Sequence, residues 1–403
     1  VAKFNVTSTE EATQIISSVN SVSLGDFINV EVDGIELTEI TKTYTFDSLG
    51  EHTVKYSLVD STIVPPSMFS GLHNLTKVII PNSVTSIGNS AFVGCGNIEV
   101  MIPNSVTSIG QGAFGGSGIV TINIPDSVTS IGDSAFGGCF ELTELTIPSS
   151  VTYIGTAILQ GIYNSEVFSK LIFNAKIDVP NDLVSGCRKV TCITLGDGVT
   201  GIGSRAFSGC SSLTSITIPD SVTSIGNQAF QGCSALTSIT IPDSVTSIDY
   251  MAFGTCSSLT SVTIPGSIIN IAEQAFVSCS NLKNVEFLYG VQSIGNSAFA
   301  ACSLTDITFS DSIKIIDESA FAANSLTAVT IPSSVTSIKK NAFYNNNNLS
   351  SVTILATTPP ELGITVFEGN ASGRKFYVPS ESLDVYKAAE GWSTYASDIY
   401  PIE

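Results

Sequence analysis

The stretch TIPDSVTSIGNQAFQGCSALTSI, Thr217 to Ile239, is followed at once by TIPDSVTSIDYMAFGTCSSLTSV, residues 240 to 262. Self-similarity at a fixed period constrains this chain more than any other feature. One such unit cannot cover its own apolar face, so each copy must stack on its neighbours. A chain of 403 residues would otherwise suggest two or three domains. A repeat array grows without enlarging a central core.

The phenylalanine of the AF dipeptide anchors the copies at Phe69, Phe92, Phe114, Phe136, Phe207, Phe230, Phe253, Phe276, Phe299, Phe321, Phe343 and Phe367. Ile158 and Val184 are taken to hold that place in two degenerate copies, which makes fourteen units. In LTSITIP, Leu213, Ile216 and Ile218 are expected to point inward, and Ser215 and Thr217 outward, by the two-residue period of a strand. Pro219 closes the strand because it lacks an N–H for the ladder. In DSVTSIG, Val222 and Ile225 form a second apolar pair, and Gly226 is free to take a positive φ. The spacing predicts a leucine-rich-repeat solenoid, β-rich, right-handed and curved, with about 14 coils of 22–26 residues. The coils are placed at 61–358, after a β-rich module at 1–60 and before a last coil with a helical cap at 359–403.

The flanking segments have their own signals. Ser8 and Glu11 stand at capping-box spacing and predict a short helix in STEEATQIISS. Asp33-Gly34 between alternating runs predicts a hairpin. Near the end, Val385, Ala388 and Ala389 read as one helical face, with Trp392 and Tyr395 beyond Gly391 as a lid on the terminal coil.

Eight cysteines, Cys95, Cys139, Cys187, Cys210, Cys233, Cys256, Cys279 and Cys302, fall three residues after the anchor. Ser117, Asn324, Asn346 and Asn370 take that place in other copies, and Leu72 and Gly161 are assigned to it in the first and fifth. No pair has zinc spacing, and Asn or Ser replaces Cys freely. The column therefore reads as an inward ladder of free thiols and amides meeting loop backbone. A disulfide column would need Cβ vectors that do not run parallel. Cys192 instead occupies an outward strand position, open either to a reactive role or to simple replacement of serine.

Thirty-five acidic residues against 16 basic ones give a net charge of −19, which argues against nucleic acid and anionic membranes as partners. No run of 18 apolar residues exists, so no transmembrane segment is expected. With only His52 and His73, and no nucleophile triad, phosphate loop or metal run, no catalytic residue, cofactor or metal site is expected.

Binding is expected on the outward strand face. One row includes Ile79, Met101, Asn123, Thr194, Thr217, Thr240, Thr263 and Glu286, and the row beside it includes Lys77, Glu99 and Cys192. Such a face would run for about 60 Å at the ordinary strand spacing. The irregular fifth and sixth coils add Tyr163, Phe168 and Lys170, either as drift in a degenerate copy or as a local ligand site.

Units of the form IPDSVTSIGNQAFQGC resemble the BspA-like leucine-rich repeat family, and the match extends to the ending KFYVPSESLDVYKAAEGWSTYASDI and the lead-in GEHTVKYSL. The resemblance implies a bacterial cell-surface or secreted protein of Bacteroides-like organisms, without catalysis. It further implies adhesion or binding to a host extracellular or neighbouring-cell protein. A glycan-binding role and a structural spacer are the alternatives, and a monomer is expected.

Overall fold

A computed structural model describes residues 1–19 and 22–402. The chain divides into two compact units, Val1–Val199 and Thr200–Glu403, and both are stretches of β-solenoid, about 15 turns in all. No helix among the described residues is long and apolar enough to cross a membrane.

In the first unit a six-stranded sheet joins the N-terminal segment to the solenoid. Its order is Glu99–Met101, Leu75–Ile79, Ala2–Val6, Gly50–Leu58, Phe27–Val32 and Ile35–Glu36. The first strand of the chain runs antiparallel to the first coil, with Lys3 opposite Lys77. The N-terminal segment therefore continues the strand face rather than ending in front of it. Asp33 and Gly34 both have positive φ, 50° and 85°, which is the geometry of the expected hairpin. The helix expected at 8–18 does not form. The Ser8 hydroxyl does accept the Glu10 and Glu11 amides, but Thr13–Gln14 then pairs as a strand with Thr43–Tyr44. Strand pairing decides between the two local options.

Each coil contributes an inward column of aromatic rings. Phe69, Phe92, Phe114 and Phe136 stack with centroids 5.2, 5.1 and 5.5 Å apart and planes within 12°. In the second unit Phe230, Phe253, Phe276 and Phe299 repeat this at 5.1 Å. The backbone follows, since the amide of Phe92 donates to Ala113 O at 2.7 Å and that of Phe253 to Ala275 O at 2.8 Å. These bonds correct one alignment. Phe136 N donates to Ile158 O, so Ile158 stands where other coils have alanine, and Leu159 is the anchor of the fifth coil. Ile162, which is buried, and not Gly161, then holds the place of the cysteines.

Glycine in the repeat also serves a different end from the one expected. Gly226 is absent from the positive-φ positions; a Cβ there would lie 2.9 Å from Ser204 N of the preceding coil. Close coil-to-coil approach requires it. The left-handed conformation falls instead two residues before and two residues after the anchor, as at Gln228 and Gly232 around Phe230. Several non-glycine residues accept it, including Met251, Thr255 and Ala301.

The C-terminal lid is a helix, Leu383–Ala388, followed by a 3-10 turn, Trp392–Asp398. Its buried residue is Tyr386, whereas Val385 is exposed, which corrects the expected face. Tyr386 donates its hydroxyl to Ala356 O at 2.7 Å, and buried Trp392 donates Nε1–H to Pro360 O at 2.8 Å.

Candidate functional site on the strand face

Strand alternation turns Val78, Val100 and Ile102 inward, where they are buried, and leaves their neighbours outside. Parallel pairing sets Lys77 beside Glu99 and Ile79 beside Met101. Ile79 is 44% exposed and Met101 61%, an apolar pair in register on neighbouring strands. Lys77 Nζ donates to Glu99 at 2.8 Å, and on the adjoining strand Lys3 Nζ donates to Glu51 at 2.7 Å. The charges beside the apolar pair are thus neutralised in couples. This leaves the two hydrophobes as the distinctive chemistry.

Further along the unit, Glu144, Lys170 and Cys192 are in register on three paired strands, with Lys170 Nζ 3.1 Å from Glu144. The neighbouring row on these strands is Thr146, Ile172 and Thr194, so Ile172 fills the position that the sequence left undefined. Phe168 is no part of the face. It is only 1% exposed, because it takes the inward position that Leu142 holds one coil earlier. Tyr163 is 57% exposed, and Phe140, four residues after its own anchor, is 48% exposed. Sequence reasoning passed over Phe140. Its signal was CFEL in place of the usual CSSL.

Asn123, Thr217 and Thr240 are exposed, yet the segments carrying them lie outside the hydrogen-bonded strands, so an unbroken strand face is not what the chain builds. In the second unit Thr263 and Glu286 are exposed and paired in register, and the Thr263 hydroxyl donates to Glu286 at 3.2 Å.

The eight cysteines of the column are buried, Cys192 is exposed, and no disulfide is present among the described residues. Sγ of Cys95, Cys139, Cys233, Cys256, Cys279 and Cys302 each donates to the carbonyl of the anchor phenylalanine one coil back, at 3.1 to 3.2 Å. Asn324, Asn346 and Asn370 donate Nδ2–H to the same kind of carbonyl at 2.9 to 3.0 Å. Burial pushes the thiols of Cys95, Cys187 and Cys233 up to about 12 and that of Cys139 to about 11, so they stay protonated.

His52 is buried in the N-terminal segment. Its Nδ1 lies 2.7 Å from Asp33 Oδ2 and its Nε2 2.8 Å from Ser48 O. Both ring nitrogens face acceptors, an arrangement that favours the doubly protonated ring, and the hydrogen bond to Asp33 raises the His52 pKa. His73 lies exposed in the first coil. No group of three or more His, Cys, Asp or Glu among the described residues is placed to hold a metal ion.

Residues 62–179, 177–288 and 270–389 match the family model of the BspA type leucine rich repeat region, in six copies. Comparison with curated protein sequences returns no match. Among solved structures, a leucine-rich repeat protein of Bacteroides ovatus is 27% identical over 89% of this chain and 90% of its own, with a TM-score of 0.65. A leucine rich cell surface protein of Faecalibacterium prausnitzii is 28% identical over 84% of this chain and 86% of its own, with a TM-score of 0.42. The pneumococcal vaccine antigen PcpA is 21% identical over 86% of this chain and 84% of its own, with a TM-score of 0.38. The family model spans most of the chain, from the first coil to the lid. The chain belongs to the BspA-type leucine-rich repeat family.

Proposed function

We propose that this is a cell-surface or secreted bacterial protein that binds another protein without catalysis, through the strand face of its first coils. The observation that carries the reading is the exposed, in-register pair Ile79 and Met101. Exposed apolar groups rimmed by polar ones mark recognition surfaces, and a methionine adapts to the shape it meets. Family membership supports the location and the absence of chemistry.

A glycan-binding reading has its own observation: Phe140 and Tyr163 present aromatic side chains to solvent in successive coils where serine is usual. Purified protein tested on matched arrays of extracellular-matrix proteins and glycans separates the two. Saturable binding to a protein at low and high salt supports the first reading. Binding to glycans alone replaces it with the second, and silence on both arrays leaves a spacer.

A further inference from the structure

The shorter ladder of the first unit ends on Ile63–Val64, which pairs on one side with Ser86–Ile87 and on the other with no strand among the described residues. Thr62 O accepts the Ser86 amide at 3.3 Å, and Val64 O accepts the Gly88 amide at 2.9 Å. A strand turns the amide and carbonyl of alternate residues to alternate sides, so those of Ile63 point away from the ladder. No partner meets them there among the described residues. Along this edge lies a cavity of about 420 Å³, walled by Tyr56, Val64, Met68, Val78 and Ile80, with Ile79 at its rim. We infer that an extended, uncharged segment of a protein partner adds here as a further strand and seats one large apolar side chain in the cavity. The inference rests on the protein-recognition reading and specifies what the partner presents.

An open strand edge is a template for pairing with another chain, and proteins usually cover it. The corresponding ladder of the second unit ends on Glu361–Leu362, and there the lid closes over the edge. A Cβ on Gly391 would lie 3.1 Å from Leu362 O, and Trp392 donates Nε1–H to Pro360 O at 2.8 Å. In the first unit the N-terminal segment reaches Phe69 through Tyr56, whose ring meets it edge-on at 5.6 Å and whose hydroxyl is fixed on Ile15 O at 2.7 Å. No strand of that segment pairs with Ile63–Val64 among the described residues, and the cavity is what remains beside it. Its volume falls in the ordinary range for ligand sites, about 300 to 1,000 Å³.

The lining selects the occupant. Main-chain bonds along an edge accept any extended sequence, and a pocket for one side chain supplies the choice. Here the floor is apolar, with Val64, Met68, Phe69, Val78 and Ile80 all buried. The two positive groups of the lining are already engaged, Lys55 with Glu31 at 2.8 Å and the Val1 amino group with Ile79 O at 3.1 Å. No Asp or Glu lines the cavity among the described residues. A partner carboxylate would compete with Glu31 for Lys55, and a partner lysine would meet no counter-charge. A segment without charge beside its anchor meets neither cost.

The test uses the full chain, labelled for methyl and amide NMR, and the peptide acetyl-Ser-Thr-Trp-Thr-Ser-amide. Saturable shifts of the Val64, Met68, Val78 and Ile80 methyls are expected, together with slower exchange of the Ile63 amide proton. Replacing Trp by Ala in the peptide should weaken binding. Only alternate amides of an added strand face the edge. Of two peptides, one N-methylated at Trp and one at both Thr, a single one should therefore bind about fivefold more weakly, the effect of one hydrogen bond. Ile63→Pro removes the outward donor but no ladder bond, and should weaken the unmodified peptide to the same degree. Should that variant not fold, the methylated peptides carry the test on the natural chain. Replacing both Thr by Lys, or both by Glu, should gain no affinity. Methyl shifts without protection of the Ile63 amide, equal binding of the two methylated peptides, tighter binding of a charged peptide, or no response overturns the inference. So do shifts of these methyls that follow the concentration of the chain alone, which would give the edge to a second copy. Each failure is distinct from failure of the recognition reading, which is judged by the protein array and by changes at Ile79 and Met101.

Discussion

The side-chain oxygen of Asn324 accepts the backbone N–H of Leu304, one coil earlier, at 3.0 Å. The same side chain donates through Nδ2 to Phe299 O at 2.9 Å. This pair accounts for asparagine at position 324 of the column. Where three residues separate the column from the next leucine, as between Cys256 and Leu259, the leucine amide bonds within its own coil, at 3.1 Å. Between Cys302 and Leu304 the turn is a residue shorter, and the next coil's Asn324 supplies the acceptor for the leucine amide. Asn346 does the same for Leu326 at 3.4 Å.

Asn324→Cys should therefore cost stability even though cysteine is the commoner residue in the column. It leaves a buried amide unpaired, worth about 1–3 kcal/mol. Urea denaturation followed by circular dichroism measures the loss. An unchanged midpoint would show that the Leu304 amide has another acceptor.

Thiol chemistry should divide the cysteines one against eight. The column thiols are buried, whereas Cys192 lies on the open strand face. A maleimide counted by mass spectrometry should add once to the native protein and nine times after denaturation. Rapid multiple labelling of the native fold would contradict the buried column.

Glycine substitutions should have opposite signs at the two kinds of glycine-favouring site. Gly132→Ala should destabilise, because the new Cβ would lie 2.5 Å from Gln111 N. Ala301→Gly, at φ 54°, should be neutral to stabilising by up to about 1 kcal/mol, since an alanine pays for the left-handed conformation. Thermal midpoints of the two variants decide it, and a stabilised Gly132→Ala would refute the close-approach explanation.

The N-terminal segment should lose stability as pH rises through the titration of His52. Hydrogen bonding to Asp33 raises the His52 pKa against the opposing effect of burial, and the Ser48 carbonyl and the charges of Asp33 and Asp47 add to it. Burial pulls the Asp33 carboxyl upward, but hydrogen bonds from His52 and the Thr53 amide, with the imidazolium charge, leave it lowered. A raised histidine stabilises fully below its unfolded value of about 6.5 and stops doing so above its folded one. A lowered aspartate stabilises above its unfolded value and stops as pH falls through its folded one. The contact is therefore strongest between about pH 4 and 6.5 and contributes about 1 kcal/mol or less, because Asp33 is half open to solvent. Urea midpoints at pH 5.5 and 8.5 should diverge for the natural chain and converge for His52→Gln; equal slopes would remove His52 from the account.

Much of the coil was legible in the sequence because period and polarity act together. Leu213, Ile216, Ile218, Val222 and Ile225 are all buried, as their spacing requires. The readings that failed depended on neighbours that a single coil does not reveal. Gly226 looked like a turn residue until the preceding backbone was seen against it. Phe168 looked like a surface aromatic because its coil is two residues longer than most, which hid its equivalence to Leu142. Ile158 was misplaced by one residue for lack of the AF dipeptide, and only the bond from Phe136 N fixed its register. On the candidate site, Ile79 and Met101 could be read from alternation alone, while the antiparallel docking of Ala2–Val6 beside them is encoded by no local pattern.

Recognition of a protein by the first coils, as proposed above, depends on the Ile79–Met101 pair. The most direct measurement is a biolayer binding isotherm for whichever array protein binds the natural chain, repeated with Ile79→Ser/Met101→Ser. The account predicts at least a tenfold weaker Kd with an unchanged thermal midpoint. An unchanged Kd in the folded double variant would contradict it.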